Sequence, residues 1–178
     1  MNSILIFCSG AINIDGSFLT LAGSVGKVLG KKGCCLIYGG GGNGMMNALF
    51  EAYSEASDAK KYYSIVPESI ANCSVRVKQD ASKIVTSDLS DRKKVMLELS
   101  SKVVVLPGGI GTIDEFFHVI ATKQLVDKSI EIILYNYNGF YDGLLKALHQ
   151  IKKAGFIKHE MNDLFSIVDS IDGLEKLI

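Results

Sequence analysis

Along the chain, short apolar runs alternate with longer stretches in which apolar positions recur every three or four residues. The runs cover residues 4–8, 34–38, 62–66, 83–86, 103–106 and 132–135. Their hydrophobicity is nearly continuous rather than alternating, which predicts strands covered on both faces. Between the first two, residues 17–32 place Leu21, Val25, Val28 and Leu29 at helical spacing, and Gly33 stands where that helix would stop. Helices are likewise expected over residues 44–56, 92–101, 112–126 and 141–154. The tail, residues 165–178, predicts a short strand and a last helix starting near Ser170. Such alternation implies an α/β fold in three layers, a mostly parallel sheet covered by helices on both faces. Ligands of these sheets bind beyond the C-terminal strand ends, where the strand order reverses. Residues 67–82 form the one long irregular connection, of a length that suits a lid or a binding wall.

Composition narrows the picture. With 178 residues, 48% of them hydrophobic, the chain suits one domain, residues 1–178, with a substantial core. Its 19 basic and 19 acidic residues cancel, so no surplus points to nucleic acid or an anionic membrane as partner. Cys8, Cys34, Cys35 and Cys73 lack metal-ligand spacing, and three of them sit in or beside apolar runs, as small buried hydrophobes do. The N-terminus MNSILIFCSG has no basic region and too short an apolar run for a signal peptide. No apolar stretch approaches membrane-spanning length. A soluble, cytoplasmic protein without a bound metal is expected.

Two glycine loops carry the candidate chemistry. GGGGNG, residues 39–44, follows the second strand, and PGGIGTIDE, residues 107–115, follows the fifth; each opens a helix. Glycine loops at helix N-termini gather backbone N–H groups and suit phosphate. Gly40 and Gly41 of the first loop, and Pro107, Gly108, Gly109 and Gly111 of the second, would share the C-terminal sheet edge and face one pocket. Ser9 ends the first strand at the same edge, where it either touches phosphate or terminates the strand. The first loop also contains G-x-G-x-x-G (Gly39, Gly41, Gly44), and Glu68 ends the next strand, which imitates a dinucleotide fingerprint.

The helix after the fourth strand breaks a local rule. With Ser90 as its N-cap, Arg92, Lys93 and Lys94 fall in the first turn, where cations oppose the helix dipole. Taken alone, the cations read as a solvated face compensated by Asp88 and Asp91; yet such violations are where functional sites are expected, and at this sheet edge these side chains would enter the same pocket. Thr112 and Glu115 fit a capping box, while Asp114 complements the dipole and His118 reads as a surface residue. Against that capping reading stands a functional one, in which a carboxylate beside a bound sugar phosphate does acid–base work or stabilises an oxocarbenium-like transition state.

GGGGNGMM, DLSDRKKVM and PGGIGTIDE, followed by NGFYDGLLKAL, AGFI and DSIDGLEKL, resemble the LONELY GUY (LOG) family over almost the whole chain. Its members are cytokinin-activating phosphoribohydrolases, often mislabelled as lysine decarboxylases. The resemblance implies a Rossmann-like homodimer that hydrolyses the N-glycosidic bond of a nucleoside 5′-monophosphate to free base and ribose 5-phosphate, with no cofactor. Carried over by position, Arg92 and Glu115 are the catalytic pair, Gly108, Gly109, Gly111 and Thr112 surround the phosphate, and Lys93 lies beside the nucleotide. The chain departs from the family around the base. It has Asp88-Leu89-Ser90 for D-M-H, Ser74 near a nucleotide-contacting glutamate, Ala121 within I-T-W, and no arginine around Asn162. AMP or another purine nucleotide is therefore as plausible a substrate as a cytokinin precursor. The alternative is a non-catalytic nucleotide- or cofactor-binding protein, of the kind that carries the molybdenum cofactor. A pyridoxal-phosphate decarboxylase has only one phosphate-friendly loop to support it, and an NAD enzyme only the glycine fingerprint with Glu68.

Overall fold

Every apolar run becomes a strand, and the tail adds a seventh. The computed structural model describes residues 2–58, 61–71, 82–126 and 129–178. Its strands are β1 (Ser3–Phe7), β2 (Cys35–Tyr38), β3 (Tyr62–Pro67), β4 (Lys83–Thr86), β5 (Lys102–Val105), β6 (Glu131–Tyr135) and β7 (Ser166–Val168). All pair in parallel, in the order β4-β3-β2-β1-β5-β6-β7. β1 lies between β2 and β5, with Leu5 opposite Ile37 on one side and Val103 on the other. The chain builds outward from β1 to β4 and then returns to β5 across β1. The strand order therefore reverses between β1 and β5, and a crevice opens beyond their C-terminal ends.

Alternate residues of the central strands feed opposite layers, as strand geometry requires. Ile4 and Ile6 face a core completed by α1 (Gly16–Lys31), α2 (Gly44–Ala56) and α8 (Ile171–Leu177). Leu5 and Phe7 face a second core with α4 (Leu89–Leu99), α5 (Ile110–Leu125), α6 (Asp142–Lys153) and α7 (Met161–Leu164). The expected three-layer α/β architecture is thus present. Cys8 and Cys34 are buried in the first of these cores, Cys35 is buried as well, and all three are free thiols. α1 and α2 pack closely because α1 presents glycines to its neighbour: a Cβ at Gly26 would stand 2.2 Å from the Leu49 carbonyl oxygen.

Two helix starts differ from the sequence reading, and both differences matter for the site. Asp88, not Ser90, caps α4, accepting from the amides of Ser90 at 2.7 Å and Asp91 at 2.8 Å. A carboxylate that satisfies two helix amides is a stronger cap than a serine hydroxyl. Arg92 and Lys93 consequently leave the first turn. α5 likewise begins at Ile110 with Gly109 as N-cap, two residues before Thr112. Thr112 is then inside the helix, the Thr112–Glu115 capping box does not form, and Asp114 lies past the first turn. In the long connection, α3 (Glu68–Ala71) is a single helical turn. Residues 72–81, with Cys73 and Ser74, lie outside the described residues. Among the described residues no helix is long and apolar enough to cross a membrane.

Candidate functional site

The crevice at the reversal point is built by three segments: residues 8–10 after β1, residues 39–43 after β2, and residues 106–112 leading from β5 into α5. The last is fixed from behind by Tyr141, whose hydroxyl donates to the Leu106 carbonyl at 2.8 Å. Gly108 has no room for a side chain, because a Cβ there would stand 2.2 Å from Thr112 Oγ1. Gly109 offers no capping oxygen to α5. Helix geometry leaves the amides of residues 110–112 without intrahelical acceptors, and the Ile113 amide bonds the Gly109 carbonyl at 3.0 Å. The N-terminus of this 16-residue helix is therefore open to an anion.

The first glycine loop is built differently. At the start of α2, the amides of Met45 and Met46 donate to the Ser9 carbonyl at 3.0 and 3.4 Å, so they bind β1's end and turn away from any ligand. Gly40 takes a φ of +71° and is buried against Val66 and Ser64. Gly39 makes room for another group: a Cβ there would stand 2.3 Å from Arg92 Nη2. This turn seats a guanidinium.

Arg92 and Glu115 reach each other from α4 and α5. Arg92 Nε donates to the Ile65 carbonyl of β3 at 3.0 Å, and Nη1 donates to Glu115 Oε1 at 3.0 Å. Both side chains are largely withdrawn from solvent, at 13% and 10% exposure. Burial pushes the Glu115 carboxyl up to about 7, a rise that Arg92's cation opposes without cancelling. One residue further out on each helix, Lys93 Nζ donates to Asp114 Oδ2 at 2.9 Å. His118 is half-buried rather than on the open surface, and burial lowers its pKa.

A cavity of about 200 Å³ gathers Ser9, Arg92, Gly109, Gly111, Thr112 and Glu115, with Cys8, Gly10 and Met46. Gly10, Met46 and Arg92 also border a second cavity of about 350 Å³, lined by Gly39, Gly41, Asn43, Val66, Pro67 and Ile70. Pro107 and Gly108 face a third, apolar hollow that includes Phe18 and Phe140 and meets the first at Ser9 and Gly109. Of the residues selected from the sequence, Ser9, Arg92, Gly109, Gly111, Thr112 and Glu115 thus meet in the central cavity, while Gly41 lines the second, Pro107 and Gly108 line the third, Gly40 is buried against Val66 and Ser64, and Lys93 pairs with Asp114. Sequence reasoning missed Met46 and Val66 as walls, since apolar residues beside strand ends carry no mark that separates wall from core, whereas Pro67 and Ile70 belong to the connection that was expected to suit a lid or a binding wall. Of the divergent positions, Leu89 and Ala121 are exposed, and Asn162 lines a separate cleft with Lys123 and Glu131. Among the described residues no cluster of three or more His, Cys, Asp or Glu could hold a metal ion.

Comparison with known proteins bears on this arrangement. The family model described as "Possible lysine decarboxylase" matches residues 46–178. The bifunctional cytokinin biosynthesis protein of Fusarium pseudograminearum is 31% identical over 98% of the chain, which spans only 39% of that longer protein. The cytokinin riboside 5′-monophosphate phosphoribohydrolase of Rhodococcoides fascians is 27% identical, with 96% of this chain and 86% of that protein covered. Among solved structures, the molybdenum cofactor carrier protein of Chlamydomonas reinhardtii superposes with a TM-score of 0.72 at 19% identity, covering 99% of this chain and 96% of that one. That likeness concerns the fold.

Proposed function

The chain belongs to the LONELY GUY (LOG) family, matched under the description of possible lysine decarboxylases, and we propose that it hydrolyses the N-glycosidic bond of a purine nucleoside 5′-monophosphate. The observation that carries this reading is the convergence of Arg92 and Glu115 in one cavity with the open N-terminus of α5. In the proposed complex the phosphate rests on the amides of residues 110–112, with the Thr112 hydroxyl beside it. The ribose lies over residues 8–10, which brings C1′ toward Glu115. The base extends into the second cavity, between Met46 and the apolar wall of Val66, Pro67 and Ile70.

The chemistry follows from the two side chains. As the glycosidic bond breaks, positive charge develops on the sugar and electron density moves to the base. A carboxylate titrating near 7 stabilises that cation or takes a proton from the attacking water. Arg92 stays charged throughout, and with two of its nitrogens already engaged it presents the third to the base or phosphate. A decarboxylase that binds its cofactor as a Schiff base needs a lysine in the cavity. Among the described residues no lysine lines the central cavity or the one beside it, and Lys93 is held on Asp114.

Incubation with AMP and with N6-prenylated AMP, followed by chromatography for free base, tests the proposal. Release of base from at least one of them is expected. Tight nucleotide binding with no released base would favour a carrier instead. A homodimer is also proposed: the outer face of α5 exposes Ile110, Phe117, Ala121 and Leu125 along one line, a surface that a second copy could cover.

A further inference from the structure

Two ion pairs join α4 to α5, and they come from consecutive residues in opposite order. Arg92 bonds Glu115 at 3.0 Å, and Lys93 bonds Asp114 at 2.9 Å. The inner pair is buried. In the outer pair Lys93 is 17% exposed but Asp114 is 62% exposed. A pair with one partner so open to water contributes little to stability, so its place beside the reacting carboxylate calls for another explanation.

We propose that Asp114 is a positioning residue for the reaction, holding Lys93 so that the charge beside Glu115 stays balanced. This rests on the reading of Glu115 as the reacting carboxylate. Among the described residues, the charged and titratable groups around Glu115 are Arg92 and Lys93 from α4, Asp114 and His118 from its own helix, and Cys8 from the end of β1. Burial keeps the Cys8 thiol protonated, and burial also favours neutral His118. That leaves Arg92 as a fixed cation, with Lys93 and Asp114 acting in opposite senses: Lys93 favours the Glu115 carboxylate, and Asp114 opposes it. Bound to each other, they offset. Removal of either one unbalances the site in a direction that its sign dictates.

The test is the pH profile of kcat/KM on AMP for the wild type, Asp114→Asn, Lys93→Met and the double variant. Asp114→Asn leaves Lys93 uncompensated, so its acid limb is expected to move to lower pH. Lys93→Met leaves Asp114 uncompensated, so its limb moves to higher pH. Each shift is expected to be roughly half a pH unit, given screening by water and salt, and the double variant is expected to return close to the wild type. Carbon-13 NMR titration of the Glu115 carboxyl in the same four proteins gives the same comparison even where a variant turns over slowly. A pair that only braces the helices would lower activity and leave the limb and the titration in place, which would overturn the proposal. Glu115→Gln separates the two ideas. If that variant is inactive while the limbs stay fixed, only the role of Asp114 fails; if it turns over like the wild type, the reading of Glu115 fails first.

Discussion

Glu115 holds its proton unusually well. The buried carboxyl titrates at about 7, against an ordinary value of 4.5, so between those two pH values the native protein binds this proton more tightly than the unfolded chain does. The contribution of Glu115 to stability therefore falls as pH rises across that window and is level outside it. Glu115→Gln cannot titrate, so denaturant unfolding at pH 5 and pH 8 is expected to show a shallower loss of stability for the variant than for the wild type. Identical pH dependence would contradict the burial account. In turnover the same variant is expected to lose activity by about 100-fold or more, the range for removal of an acid–base group. Arg92→Lys is expected to lose a large part of activity while keeping its charge. A single ammonium cannot span both the Ile65 carbonyl and the Glu115 carboxylate as the guanidinium does.

Between elements, the site depends on where α4 and α5 begin. The glycine loops and the charged turn of α4 were legible as candidates, because each follows a strand and opens a helix. Their division of labour was not. Both loops read as phosphate cradles, yet the amides of Met45 and Met46 at the first are taken by the Ser9 carbonyl, while the second is left open. The caps were misassigned because Ser90 and Thr112 are good capping residues, yet α4 starts earlier, at the Asp88 carboxylate, and α5 starts after Gly109, which caps it without a side-chain oxygen. With Thr112 inside the helix, Glu115 is released from capping and turns toward Arg92, a contact between residues 23 positions apart that no local spacing encodes. The loops make distinct predictions. Gly39→Ala is expected to displace the guanidinium and lower kcat, because its Cβ would stand 2.3 Å from Arg92 Nη2. Gly108→Ala is expected to push the Thr112 hydroxyl aside and raise KM by about tenfold, the cost of roughly one hydrogen bond to a charged group. Steady-state kinetics on AMP separates the two, and the opposite pattern would reverse the roles assigned to the loops.

The architecture of the whole chain was the most legible level. Unbroken apolar runs separated by helical stretches dictate a parallel sheet buried on both faces, and the observed order places its reversal point at the site. That the outer face of α5 is exposed was not written in that pattern, since Ile110 and Leu125 look in sequence like core residues. If a second copy covers them, Phe117→Glu is expected to shift the protein to monomer in light scattering coupled to size exclusion, with the fold retained by circular dichroism. An unchanged mass would place any dimer contact elsewhere.

The most direct measurement of the central claim is the quantity of free base released from AMP and N6-prenylated AMP by the wild-type protein and by Glu115→Gln, with nucleotide binding to both followed by calorimetry. The account predicts stoichiometric base and ribose 5-phosphate from the wild type, and little base from the variant even though it still binds nucleotide. Equal release by both proteins, or binding without release by the wild type, would contradict it.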